Sequence, residues 1–199
     1  MSDVALASEL LPGTYVVLRT HSALGALVRA ATRSWADHAI LITGPGRCVQ
    51  ATTRGVTEGP LTQFAGCQAV ANAAESAAMQ PAVREAITAR ARSMVGEEYD
   101  WPLIATLGLR TIGAKWGWLL RATSGKGAVI CSELVAFAGQ AGYQDWLCGT
   151  AQPALVTPAM LAARPGLQSV AWDAVLVLDP LTGRRPVSPV PCEDQIRHV

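Results

Sequence analysis

Basic runs, CxxC pairs, uninterrupted apolar stretches and internal repeats are all missing from this chain of 199 residues, and each absence removes a class of function. Lys and Arg number 16 against 15 Asp and Glu, a net charge of +1, and the basic residues are scattered rather than interleaved with aromatics. Nucleic-acid recognition needs a clustered positive face, so nucleic-acid binding is not expected. No Lys or Arg precedes Arg19, so the opening MSDVALASELL lacks the basic region of a secretory signal. The longest charge-free run, 146–163, is broken by Pro153 and Pro158, and no transmembrane segment is expected, since a spanning helix needs roughly 20 apolar residues. A cytoplasmic location is the default. Five cysteines, at 48, 67, 131, 148 and 192, are odd in number and widely spaced. That pattern suggests neither a disulfide framework nor a zinc site, and reduced thiols are expected. The TSGKG stretch at 123–127 has no Gly five residues before its Gly-Lys pair, so the phosphate-loop pattern fails. No cofactor and no metal are called for.

What is present is half hydrophobic (50%), enough for one core-forming domain over 1–180, followed by a Pro- and Arg-containing tail at 181–199 that cannot build a core. PGTYVVL (12–18) leaves a turn for a strand. DHAILIT (37–43) and RCVQATT (47–53) flank Gly44-Pro45-Gly46 and read as a hairpin. Pro81 suits a first helical position, Val83, Ile87, Ala91 and Met94 recur at helical spacing, and Gly96 stops the run, which predicts a helix over about 81–95. A second helix is expected to start near Cys131 and close at Gly142. AWDAVLVLD (171–179) reads as a closing strand, and Trp101–Thr123 as core or as the roof of a cleft.

Cys131 follows a short apolar run and opens a helix, where unpaired backbone N–H groups and the positive end of the helix dipole favour thiolate. The competing reading is a buried core thiol, since free cysteine is among the most buried residue types. A nucleophile needs a base, and the histidines are His21, His38 and His198. His38 is the candidate: it opens the apolar strand AILIT, which would hold the ring still, whereas His21 sits in a loop and His198 in the tail. Gln50, a polar residue on the returning hairpin strand, can orient an imidazole through its carbonyl. Asp37 and Asp100 read as turn caps, and Cys48, Cys67 and Cys148 as core or surface thiols.

Two blocks carry a family resemblance. Gly96-Glu97-Glu98-Tyr99-Asp100-Trp101, then Cys131-Ser132 and Ala141-Gly142, resembles the nucleophile half of the NlpC-type papain-like cysteine peptidases and amidases. Pro12-Gly13, His38-Ala39-Ile40-Leu41-Ile42, Gly46 and Val49-Gln50-Ala51 resemble the histidine half. Here the histidine half comes first, as in the circularly permuted branch. Gly55-Val56, Pro60-Leu61 with Phe64, and Val156-Thr157-Pro158 resemble that branch as well. The resemblance implies an α+β fold, an antiparallel sheet packed against helices, with the nucleophile at a helix N-terminus. It assigns Cys131 as nucleophile, His38 as base, Gln50 as the third polar residue where permuted members often carry Glu, and Tyr99 as an aid to oxyanion stabilisation. The implied activity is cleavage of an amide, foremost a peptidoglycan peptide amide. The alternatives are an N-acyl or lipid amidase or acyltransferase, and a non-catalytic structural or assembly protein, such as a virion component held in a larger assembly through its C-terminal tail.

Overall fold

The computed structural model describes residues 4–99, 128–150 and 152–173. Trp101–Thr123, Asp100 and the 181–199 tail lie outside the described residues. The strands are β1 (Val4–Leu6), β2 (Tyr15–Arg19), β3 (His38–Gly44), β4 (Arg47–Thr52), β5 (Gly55–Pro60), β6 (Gln68–Ala71), β7 (Glu98–Tyr99), β8 (Ala128–Val129) and β9 (Gln168–Ala171). The helices are α1 (Ala23–Thr32), α2 (Ala73–Ala78), α3 (Pro81–Ser93), α4 (Cys131–Ala141) and α5 (Pro158–Ala162).

A seven-stranded sheet runs in the order β1-β9-β6-β2-β3-β4-β5, and β7 pairs separately with β8. The expected antiparallel sheet is in fact mixed: β1 lies parallel to β9, and β7 parallel to β8. Side-chain alternation reveals the pleat of a strand but not the direction of its neighbour, so this feature was not readable from the pattern. β9 (Gln168–Ala171) pairs with β1 and β6; the strand expected over 171–179 lies, from 174 on, outside the described residues.

The central strands are near-continuous apolar runs because both faces of the sheet are covered. One face carries Tyr15, Val17, Ala39, Leu41 and Val49 against Ile87 and Ala91 of α3 and Leu134 and Val135 of α4. The other carries Val16, Leu18, Ile40, Ile42 and Cys48 against Leu61 and Phe64. Each Val, Leu, Ile or Phe side chain among them, removed from water, contributes roughly 1.5–3 kcal/mol before entropy is set against it. The β3–β4 hairpin turns at Pro45-Gly46, with Gly46 at a φ of 64° that glycine adopts without a steric penalty.

The pieces that deliver the cysteine are chained to the sheet. Val56 N–H donates to the Glu97 carbonyl at 2.9 Å, and Gly96 N–H to the Val56 carbonyl at 2.9 Å, fixing the approach to β7 against β5. β7 pairs Tyr99 with Val129 of β8, and α4 begins after Ile130. Ser132 Oγ then donates to the Val156 carbonyl at 2.7 Å, closing the first turn of α4 against the segment before α5. No helix among the described residues is long and apolar enough to cross a membrane.

Candidate active site

α4 starts at Cys131 and is capped at its far end by Gly142, as the sequence predicts. The side chain of Glu133, third in the helix and 4% exposed, accepts from the Ile130 N–H at 3.4 Å and satisfies one of the free donors at the helix start. Cys131 is itself 6% exposed. The β3–β4 ladder ends at Ile40 and Gln50, and the N–H of the next residue along β3, Ala39, faces the Cys131 sulfur. The N–H groups of Ser132 and of Cys131 itself also face it.

These donors favour thiolate, yet burial outweighs them and pushes the Cys131 thiol up to about 11. This corrects the expectation of a thiolate sharpened by the helix dipole: the sulfur is protonated at neutral pH. The partial charge of a helix end is a smaller effect than the desolvation of an anion placed under a sheet.

His38 and Gln50 meet as expected. His38 Nε2 lies 3.2 Å from Gln50 Oε1, the two side chains sitting diagonally on neighbouring strands on one face of the sheet. A carbonyl oxygen only accepts, so Nε2 carries the proton and Nδ1 keeps its lone pair. Burial lowers His38 to about 4, opposed by its hydrogen bond to Gln50, so the ring is neutral near pH 7. The ring lies against Phe64, centroids 5.8 Å apart and tilted by 40°. That is the face opposite the one on which α4 packs. Among the described residues no hydrogen bond joins Cys131 to His38; the two are brought together through the backbone of Ala39.

Tyr99 is half-buried and packs against Ile130, the residue before the cysteine. Asp37 keeps the structural role read for it: its carboxylate accepts from Thr20 N–H at 2.9 Å and pairs with Arg29, which fixes the chain immediately before His38. His21 lies in an exposed loop. Cys48, Cys131 and Cys148 are free thiols, but Cys67 is disulfide-bonded, a correction to the expectation of reduced thiols throughout. Among the described residues no three His, Cys, Asp or Glu side chains are grouped as a metal would require.

The sequence reading missed two contributors. Ala39 acts through its backbone, which no residue type signals. Glu133 stands three residues after the helix cap, a recognisable helix-start pattern.

No protein-family model matches the chain, and no curated protein matches it. Among solved structures it is similar to the metalloprotein yiiX from Escherichia coli O157:H7, with a TM-score of 0.56 and 15% identity over 83% of this chain and 98% of that one. At that identity the likeness speaks for the fold alone, an α+β arrangement in which a mixed sheet packs against helices.

Proposed function

We propose that the chain is a papain-like thiol hydrolase, in the circularly permuted arrangement, that cleaves an amide bond. The observation that supports this reading is Cys131 at the first position of α4, its sulfur ringed by three N–H groups, one of them from Ala39 of β3, the neighbour of His38, which is hydrogen-bonded to Gln50 of β4. Thiol and imidazole are both neutral at rest, so proton transfer accompanies attack. The sulfur bonds to the amide carbonyl carbon as its proton passes to His38 Nδ1, the ring turning from Phe64 toward the sulfur. The N–H groups of Ala39 and Ser132 stabilise the thiolate as it forms. The Cys131 N–H and the Tyr99 hydroxyl hold the oxyanion. The C–N bond then breaks, His38 returns its proton to the leaving amine, and water hydrolyses the thioester. A cell-wall peptide amide is the substrate class the resemblance favours, with N-acyl amides next. Incubation with purified peptidoglycan and with long-chain acyl amides should release amine from one of them, and Cys131→Ser should release none. Equal release by wild type and Cys131→Ser removes the reading.

A second reading is a structural or assembly protein that kept the fold without the chemistry. It is favoured by the shielding of Cys131, its raised thiol pKa and the turn of the His38 ring toward Phe64. A folded wild type inactive on both substrate classes is the outcome this reading expects. The neighbour's description as a metalloprotein gains no support from the described residues, among which no three His, Cys, Asp or Glu side chains are grouped.

A further inference from the structure

α1 turns its one charged side chain inward and four apolar residues to water, while Leu24 and Val28 are half-buried. Its one charged side chain, Arg29, points inward to pair with Asp37, whose side chain is fully buried. Gly25 is the buried residue of the helix, and a Cβ there would lie 2.6 Å from Thr20 Oγ1 and 2.7 Å from Asp37 Oδ2. The solvent side consists of Ala23, Ala26, Leu27 and Ala30, all exposed, with Leu27 at 57%. Successive residues advance by about 100° round a helix, so these four form one stripe. A surface helix ordinarily turns polar side chains to water; this stripe carries none.

The rim of the stripe is basic. Arg19 and His21 lie exposed at one end and Arg33 at the other, and no acidic residue occurs between Glu9 and Asp37. Charge selects the occupant. A second copy docked two-fold on the same stripe would set Arg19 of each molecule against Arg33 of the other, and like charges repel. An anionic lipid surface attracts both ends and takes an apolar stripe at its headgroup boundary.

We propose that α1 is the surface by which the protein lies on an anionic bilayer, with Leu27 inserted and Arg19 and Arg33 among the lipid phosphates. The proposal stands whether or not Cys131 is catalytic. It is tested by sedimenting the full chain with vesicles of equimolar phosphatidylglycerol and phosphatidylcholine, and with vesicles of phosphatidylcholine alone, at low salt. Partitioning should favour the anionic vesicles, by about fivefold for each of Arg19 and Arg33. Leu27→Asp should reduce binding by about tenfold or more. Arg19→Glu with Arg33→Glu should abolish the lipid preference. All three positions are exposed, so circular dichroism should show the fold retained. Equal partitioning onto both vesicle types, or wild-type binding by a folded Leu27→Asp, overturns the proposal. So does a dimer in light scattering that Leu27→Asp splits while vesicles are ignored, which assigns the stripe to a second copy.

Discussion

Gln50 decides which nitrogen of His38 can act as a base. By accepting from Nε2 it leaves Nδ1 bare, and being uncharged it does little to hold a proton on the ring, so His38 settles at about 4. A hydrolase that depends on neutral His38 should lose activity as pH falls through that value and hold a plateau above it. Gln50→Ala, which frees the ring, should lower turnover roughly 10–100-fold. Gln50→Glu should retain turnover and move the acid limb to higher pH, because a carboxylate favours imidazolium. The pH dependence of amine release checks both, and an acid limb unmoved by Gln50→Glu would remove Gln50 from the mechanism. Cys131, His38 and Gln50 were legible because each is a chemical type out of place: a thiol at a helix start, an imidazole and an amide in apolar strands. The thiol's raised pKa was not legible. It follows from burial, which belongs to the assembled sheet and helices rather than to the local run of residues.

At the scale of elements, the clamp between α1 and the start of β3 has its own energetic signature. Asp37 is fully buried while Arg29 is 18% exposed, and Asp37 also holds Thr20 N–H. Asp37→Ala would leave the guanidinium and that N–H without their acceptor, and should destabilise the fold by about 3 kcal/mol in urea unfolding. A change below about 0.5 kcal/mol would mean that water replaces the carboxylate. The hairpin of β3 and β4 and the helix α3 were readable, since Pro45-Gly46 punctuates the one and the spacing of Val83, Ile87 and Ala91 marks the other. α1 escaped notice because ALGALVRAAT turns Ala23, Ala26, Leu27 and Ala30 outward and its arginine inward, against the usual amphipathic sense. The short strands β1, β7 and β8 have too few residues to show a period, and exist through their partners.

For the molecule as a whole, buried titrating groups set the pH window of stability. His38 sits at about 4 against an ordinary 6.5, so between those values the unfolded chain binds the extra proton. Stability from this group is therefore complete above about pH 6.5 and is lost as pH falls toward 4, by up to about 3 kcal/mol. Burial raises Cys131 to about 11 and Cys48 to about 12 from an ordinary 9.0, so stability is complete below about pH 9 and is lost as pH rises beyond it. Urea midpoints should form a plateau from about pH 6.5 to 9 with a fall on either side, and Cys48→Ala should soften the alkaline fall. A midpoint indifferent to pH above 9 would contradict the burial of the two thiols. The short strand β1 bears on a different hazard. Val4–Leu6 runs along the outer side of β9 and occupies backbone groups that would otherwise invite strands from other molecules. Three residues at the margin of the sheet thus guard against aggregation, a service to the protein's solubility that neither its core nor its candidate site can perform.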